Sequence, residues 1–299
     1  MMKMKIIGDY IVSYLLLFIG KISQQLTIKD RGNFGAFIGN VLRILSKSRA
    51  KVTLSNIKMA LPELSGDEQI KIMKGSYHNL GITMVELLSF PVFDEEYFRK
   101  YIKYKNIQLM NEVYNRGQGL IFLSGHFGNW ELLALTTGYF TKLPNTIVVK
   151  PQSNQISDKI LNSYRTSKGN RIVPMAQAAR TIMNAIAKKE IIALLVDQSA
   201  DWQKDIFVDF FNYPAVTYEA PAKLSIKYDV PIIMGFAVRQ PDFTYEVELL
   251  ELDRTGVDKN DDPVKELTIR HVKVLEDIIR KHPDQWAWQH KRWKHDPPK

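Results

Sequence analysis

The chain of 299 residues contains no cysteine, which excludes disulfides, thiol nucleophiles and cysteine-ligated metals. Its six histidines show no paired spacing typical of a metal site, so we expect neither a metal nor another cofactor. It also lacks a recognised nucleic-acid-binding motif, internal repeats and low-complexity linkers. These absences leave an ordinary globular composition, with enough residues for one large domain or two.

Acidic residues are in deficit. The 41 lysines and arginines exceed the 32 aspartates and glutamates, which gives a formal net charge of +9. Such an excess predicts an anionic partner: a phospholipid surface, an acidic carrier protein or, ranked last, nucleic acid. The alternative is that surplus lysine only keeps the protein soluble.

No apolar run reaches the ~20 residues that a spanning helix needs. The longest near the N-terminus, residues 10–20, is rich in Leu and Ile and is flanked by lysines on both sides. We expect a membrane-contacting helix that lies in the interface or enters partway, although a core helix or a signal peptide would share this pattern. A basic stretch follows, in which apolar residues at helical spacing (Phe37, Ile38, Val41, Leu42 and Leu45) predict a helix with one packed and one cationic face.

Strands alternate with helices from residue 120 onward, which predicts an α/β fold with a mainly parallel central sheet flanked by helices. The first third of the chain, to about residue 115, is predicted to be mostly helical. The predicted strands span 120–123, 145–150, 171–174, 191–196, 231–238 and 245–249, the last as an edge strand.

His126 lies in a turn between the apolar run 120–123 and a helix for which Asn129 is a good N-cap. Glu131 falls in the first turn of that helix. Because residues five apart do not share a helix face, the two side chains meet only if His126 lies off the helix and Glu131 points back. That arrangement predicts a general-base dyad in which Glu131 fixes the imidazole tautomer. The alternative is a loop histidine beside a glutamate that only favours the helix dipole.

Asp197 and Gln198 end the predicted strand 191–196. Because ligands of parallel sheets bind outside the carboxyl ends of the strands, we expect Asp197 and His126 at the same edge. Asp197 could equally be a turn residue that only ends a strand.

The sequence Gly-His-Phe-Gly-Asn-Trp-Glu at 125–131 resembles the His-x4-Asp/Glu signature of glycerolipid-type acyltransferases. In detail it resembles the lipid A biosynthesis acyltransferases (lauroyl/myristoyl transferases), a branch that includes phosphatidylinositol mannoside acyltransferases. Three further stretches are similar to that family: Asp-Gln at 197–198, Val-Asp-Phe-Phe-Asn-Tyr-Pro-Ala-Val-Thr at 208–217, and Pro-Asp-Gln-Trp-Ala-Trp-Gln-His-Lys-Arg-Trp-Lys at 283–294. Asn212 stands where the family usually has glycine.

The resemblance implies an enzyme that moves a fatty acyl chain from a thioester to a hydroxyl of a lipid A precursor or related glycolipid. It implies His126 and Glu131 as the catalytic pair, with no covalent acyl-enzyme. Acyl–acyl carrier protein is the implied donor and acyl-CoA the alternative. The residues then expected to bind substrate are Asn129, Trp130, Arg165, Asp197, Gln198, Phe211, Pro214 and Thr217.

Within that assignment, Arg165 would contact an anionic head group or the carrier, unless it only belongs to a solvated helix face. Phe211 and Pro214 would lie in a loop that walls an acyl-chain groove, although a plain hydrophobic loop would share this composition. Thr217 could cap the next helix. The Trp-rich segment 283–294 has a composition that suits a membrane interface, where Trp and basic side chains occur together, or carrier-protein docking.

Members of this family carry an N-terminal membrane anchor. The resemblance therefore implies a hydrophobic membrane-anchor helix at 1–25 and an acyltransferase domain at 26–299. It places the protein on the cytoplasmic face of a bacterial inner membrane. Two other functions stay open: acyl-CoA-dependent acylation of a glycolipid or lysophospholipid, and non-catalytic binding of anionic lipid. The lysophospholipid enzymes usually show Asn-His-x4-Asp, and here Gly125 and Glu131 occupy the two ends.

Overall fold

The computed structural model describes residues 2–297, with side chains described from residue 6 onward. Its helices are α1 (Met2–Gln24), α2 (Ile28–Leu45), α3 (Lys47–Ala60), α4 (Gly66–Leu87), α5 (Glu95–Tyr101), α6 (Gln108–Tyr114), α7 (Trp130–Thr141), α8 (Gln155–Arg165), α9 (Ala178–Ala187), α10 (Ala220–Tyr228) and α11 (Pro263–Lys281). Its strands are β1 (Ile102–Tyr104), β2 (Leu120–Ser124), β3 (Asn145–Val149), β4 (Arg171–Pro174), β5 (Ile191–Leu195), β6 (Ile206–Phe210), β7 (Tyr213–Thr217), β8 (Ile232–Arg239) and β9 (Tyr245–Glu251).

Seven strands form one sheet in the order β1-β9-β8-β2-β5-β3-β4. Neighbours are parallel except β8 and β9. The predicted α/β class with a mainly parallel sheet is therefore confirmed. The prediction that residues 245–249 form an edge strand was wrong, because β1, which was predicted as helix or loop, pairs outside β9.

The central strand β2 is buried along its whole length, as its continuous apolar sequence predicts. Its alternate side chains enter two separate cores. Ile121 and Leu123 join a core that includes α11 and the C-terminal tryptophans, whereas Leu120 and Phe122 join a core that includes α5, α6 and α7. The sheet thus lies between two helical layers, and its carboxyl edge is left for polar residues.

Helix α1 differs from the core helices because most of its apolar side chains are exposed. The segment Ile6–Gln24 is long and apolar enough to cross a membrane, with a mean hydropathy of 1.6, and signal sequences can share these properties. It is a candidate membrane-contacting helix. Its side chains reach the domain at Ser13, which hydrogen-bonds Ser157 of α8, and near Leu88, whose carbonyl accepts from Gln24.

The packed face of α2 is not the predicted apolar face. Gly32, Gly35 and Gly39 are buried, and a Cβ on Gly35 or Gly39 would strike the backbone of α4 at Ile82 or Tyr77. Because glycines let the two backbones approach this closely, the larger apolar residues Phe37 and Leu45 are turned outward and are 61% and 76% exposed. Arg31 of α2 is also buried, and it donates to the carbonyls of Ser23 at the end of α1 and of Leu26 in the α1–α2 connection.

Two of the three tryptophans of the segment 283–294 are not at a surface. Trp286 and Trp288 are 1% and 0% exposed and stack edge to face, and Arg292 beside them is 2% exposed. The prediction that this segment forms a membrane interface through its tryptophans was wrong for Trp286 and Trp288, because these two rings fill the core beneath the carboxyl edge of the sheet.

Candidate active site

His126 lies just beyond β2, in a turn whose shape depends on glycine. Gly128 has φ +56°, and a Cβ there would collide with the carbonyl oxygen of Ala237 on β8. Its own N–H donates to the carbonyl of Gln285, 2.9 Å away. The turn is therefore clamped between β8 and the C-terminal segment, which fixes His126 at the carboxyl edge of the sheet.

Asp197 follows β5, the neighbour of β2, and holds His126 at two points. One carboxylate oxygen lies 2.7 Å from Nδ1 of the imidazole, and the other accepts the His126 backbone N–H at 2.8 Å. That second oxygen also accepts from Nε1 of Trp286 at 2.8 Å. The expectation that His126 and Asp197 come to the same edge is confirmed, and their contact is direct.

Asp197 and His126 each shift the pKa of the other. Burial alone would raise the pKa of Asp197, but the His126 charge and the hydrogen bonds from His126 and Trp286 outweigh it and lower the pKa to about 2. Burial would lower the pKa of His126, yet the charge of Asp197 and its hydrogen bond raise it. Asp197 therefore remains a carboxylate at neutral pH and keeps the imidazole oriented.

Glu131 does not make the predicted hydrogen bond to the imidazole. Its carboxylate instead accepts from Nε and Nη2 of Arg165 at 2.8 and 2.6 Å, a bidentate pair in which both side chains are less than 15% exposed. The reason is geometric: from the first turn of α7 the side chain reaches the last turn of α8, and a guanidinium offers two charged donors. The interpretation of Arg165 as part of a solvated helix face was wrong for the same reason.

Nε2 of His126 is the ring nitrogen left for chemistry. The side-chain amide nitrogen of Gln198 lies 3.3 Å from it, and the ring of Trp130 meets the imidazole edge to face at 5.1 Å between centroids. The His126 side chain is 23% exposed. With Nδ1–H donating to Asp197, Nε2 is the unprotonated nitrogen, and its lone pair accepts from the Gln198 amide at the half-buried end of the ring. An unprotonated nitrogen at an accessible position is the condition for a general base.

Comparison with known protein families identifies the family of this chain. The family model described as bacterial lipid A biosynthesis acyltransferase matches residues 2–295. The chain belongs to the lipid A biosynthesis acyltransferase family. It is therefore an acyltransferase.

Curated relatives are distant but extend over most of the chain. The Escherichia coli (strain K12) lipid A biosynthesis palmitoleoyltransferase is 23% identical over 266 residues, 88% of this chain and 84% of the relative. The lauroyltransferase of the same strain is 21% identical over 264 residues, 88% and 85% of the two chains. A lipid A biosynthesis acyltransferase of Haemophilus influenzae is 18% identical over 289 residues, 94% and 86% of the two chains.

Asn129 caps α7 of the acyltransferase as predicted, because its side-chain oxygen accepts from the Leu132 N–H at 2.9 Å. Its amide nitrogen donates to a buried carboxylate that the sequence analysis did not identify, Glu86 of α4. Glu86 also accepts from the hydroxyl of Tyr245 at 2.6 Å and is 0% exposed. An acidic residue among the apolar positions of α4 was the signal that could have revealed it.

We expect Glu86→Ala to lower the free energy of unfolding by about 1–3 kcal/mol, since it leaves the Asn129 amide and the Tyr245 hydroxyl buried without their acceptor. Urea unfolding followed by circular dichroism would measure the loss. Glu112 of α6 is exposed, so Glu112→Ala serves as the control and should change stability by less than about 0.5 kcal/mol. Equal effects of the two substitutions would contradict the structural role of Glu86.

The segment expected to wall an acyl groove is not a loop. Strands β6 and β7 form an antiparallel hairpin, and its turn residues Phe211 and Asn212 have φ of 55° and 61°. Phe211 is 1% exposed and packs on Trp288, whereas Pro214 is exposed. Among the described residues, neither forms a hydrogen bond or a ring contact with His126, and their role in binding substrate stays a prediction.

Thr217 is the last residue of β7 and does not cap α10, whose N-cap position is Glu219. Its hydroxyl donates to the Ala215 carbonyl at 3.0 Å and accepts from Nη2 of Arg292 at 2.6 Å. Arg292 also donates to the Val216 carbonyl. The predicted cap was wrong because Thr217 extends the hairpin and anchors the C-terminal segment to it.

Proposed function

We propose that this acyltransferase moves a fatty acyl chain from a thioester donor to a hydroxyl of a lipid A precursor. The family membership and the names of its relatives support the acceptor class. The observation that carries the proposal is His126, held through Nδ1 by Asp197 while Nε2 stays accessible.

In the proposed reaction Nε2 of His126 takes the proton of the acceptor hydroxyl. The alkoxide attacks the thioester carbonyl directly, the carbon–sulfur bond breaks, and the imidazolium returns the proton to the departing sulfur. Positioned proton transfer of this kind contributes ~10²–10⁴-fold in rate. Asp197 stabilises the imidazolium and keeps its orientation.

The oxyanion that forms on the carbonyl needs donors. At the start of α7 the backbone N–H groups of Trp130 and Glu131 precede the first intrahelical hydrogen bond, and the Asn129 side chain caps only Leu132. The positive end of the helix dipole adds to their effect. We assign these two N–H groups as oxyanion donors.

The pair of Glu131 and Arg165 would then supply charge beside the base. Glu131 helps raise the pKa of His126, and Arg165 opposes it. With its carboxylate partner attached, the Arg165 guanidinium retains N–H groups for an anionic head group or carrier. Gln198 and Trp130 complete the mouth of the proposed site.

Acyl–acyl carrier protein is the proposed donor, because the net charge of +9 favours an acidic partner; acyl-CoA is the rival. We propose that residues 1–25 anchor the enzyme and that residues 26–299 form the acyltransferase domain. The enzyme would then work at the cytoplasmic face of a bacterial inner membrane, where its acceptor lies in the bilayer.

Product analysis tests this function. The full-length protein would be incubated with acyl–acyl carrier protein or acyl-CoA, and with a lipid A precursor or a lysophospholipid, and the products identified by mass spectrometry. We expect one added acyl group on the lipid A precursor, faster with the carrier-protein donor. Acylation of the lysophospholipid alone, or no product above the enzyme-free blank, would contradict the proposal.

A further inference from the structure

One stretch of the chain carries cations with no acidic neighbours in sequence. Residues 31–62 contain no Asp or Glu, and the six basic residues among them are Arg31, Arg43, Lys47, Arg49, Lys51 and Lys58. Except for the buried Arg31, these residues lie from the last turn of α2 through α3. None of them forms an ion pair with a carboxylate of the described residues. The charge of the five residues other than the buried Arg31 is therefore available to a partner.

Three of these cations, Arg43, Lys47 and Lys51, line an apolar groove where α2, α3 and α4 meet. The groove has a volume of about 440 Å³. Its lining residues are Arg43, Ile44, Lys47, Ala50, Lys51, Leu54 and Met73. We call this region the α2–α3 corner.

Large apolar side chains project from the same corner. Ile44 and Leu45 at the end of α2 are 53% and 76% exposed, and Phe37, two turns earlier, is 61% exposed. They are exposed because α2 packs on α4 through its glycines. Removing such side chains from water is favourable by ~25 cal/mol for each Å² of apolar surface, so the corner gains free energy from an apolar partner.

We propose that the α2–α3 corner is a second membrane-contact surface, separate from α1, that docks onto an anionic phospholipid bilayer. A bilayer interface satisfies both features at once: phosphate groups face Arg43, Lys47 and Lys51, and the acyl layer takes Ile44 and Leu45. An acidic carrier protein would match the cations as well, and the test below distinguishes it from a bilayer.

Helix α3, which forms one side of the corner, is linked to the candidate active site by a short chain of hydrogen bonds. Asn56 of α3 donates to the carbonyls of Trp288 and His290 at 2.9 and 2.7 Å. The imidazole of His290 in turn accepts the backbone N–H of Ser199, the residue after Gln198. If the proposed function holds, docking at the corner brings the bilayer that contains the acceptor to the edge of the site.

The absence of cysteine allows a site-specific test in the full-length chain. A Leu45→Cys variant labelled with an environment-sensitive fluorophore would be mixed with phosphatidylcholine vesicles, with and without phosphatidylglycerol. We expect a blue shift and brighter emission with the anionic vesicles, both reduced by added salt. Using the His126→Ala background makes the readout independent of catalysis, so failure of this proposal and of the proposed function are distinguishable.

The α9 region supplies one control for the label and one for the charge substitutions. Met183 is 40% exposed on that helix, and a label at Met183→Cys should report no shift with the same vesicles. The triple substitution Arg43→Gln, Lys47→Gln, Lys51→Gln should raise the lipid concentration at which the change at position 45 is half complete by ~10–100-fold. The same number of substitutions at Arg180, Lys188 and Lys189 of the α9 region should leave that change intact.

Two outcomes would overturn the proposal. One is a label at position 45 that responds to anionic vesicles no more than the label at 183. The other is a response at 45 to acyl carrier protein in the absence of vesicles with no response to lipid, which would assign the corner to the donor instead.

Discussion

Asp197→Asn is expected to lower kcat for acyl transfer by about 10³–10⁴-fold while the protein stays folded. The asparagine oxygen can replace the carboxylate oxygen that accepts from the His126 backbone and from Trp286. Its amide group then faces Nδ1 of His126 as a donor. This forces the ring proton onto Nε2, and the nitrogen at the mouth of the site can no longer take a proton from the acceptor.

Steady-state kinetics beside His126→Ala would measure the effect, and the two variants should fall to a similar residual rate. The pH profile gives a second readout. Because the Asp197 charge raises the pKa of His126, the acidic limb of kcat/KM in Asp197→Asn should move to lower pH. A variant that retains most of its activity, or whose acidic limb stays in place, would contradict the role of Asp197.

Stability measurements separate this effect from misfolding. The folded-state pKa of Asp197 is about 2, below its ordinary value of 3.8. The contribution of this group to the free energy of unfolding is therefore present above pH 3.8 and is lost as the pH falls toward 2. The shift corresponds to roughly 2 kcal/mol. The stability difference between the wild type and Asp197→Asn should therefore be largest between the ordinary pKa values of the two groups, ~4 and ~6.5. It should shrink in acid as Asp197 is protonated, and also at higher pH as the raised pKa of His126 is passed and the imidazole loses its charge.

The strands and the placement of polar residues at their ends were predictable, because both depend on local sequence. Apolar runs followed by His126 and by Asp197 predicted two strands of one parallel sheet, and these side chains do meet. Which carboxylate holds the imidazole was not predictable. Sequence spacing offered Glu131, but the distance between the ends of β2 and β5 is set by the sheet, and that distance favours Asp197.

Local sequence patterns also failed to predict where helices pack through small residues and which large side chains are buried. The apolar spacing in α2 predicted a buried face, yet Gly35 and Gly39 permit an approach that turns Phe37 outward. Composition likewise placed Trp286 at a membrane, although Trp286 donates to Asp197 inside the core. In both cases the decisive quantity is the separation of elements distant in sequence, which no local pattern contains.

The pair of Glu131 and Arg165 should give the second largest effect, because each charge is nearly buried and depends on the other. Glu131→Gln leaves the Arg165 guanidinium without its carboxylate, and Arg165→Gln leaves the Glu131 carboxylate without its guanidinium. We expect either single substitution to lower the free energy of unfolding by about 3 kcal/mol and kcat/KM by about 10–100-fold. The double substitution should cost much less than the sum of the two, since no buried charge is left unpaired.

Urea unfolding and steady-state kinetics on the four proteins of this cycle would give the coupling energy. Arg99→Gln is the control, because the pair of Arg99 and Glu95 is more than half exposed and its loss should cost less than about 1 kcal/mol. Additive losses at 131 and 165 would show that the pair does not act as a unit.

The pH profiles of the same variants distinguish support of the base from general stabilisation of the fold. Glu131 contributes to the raised pKa of His126 and Arg165 opposes it. The acidic limb of kcat/KM should therefore move to lower pH in Glu131→Gln and to higher pH in Arg165→Gln, with the double variant between them. Two single variants that lose stability equally but move the limb in opposite directions would place the ion pair beside the base as an electrostatic regulator. If the acidic limb stayed in place in both single variants, the ion pair of Glu131 and Arg165 would only stabilise the packing of α7 against α8.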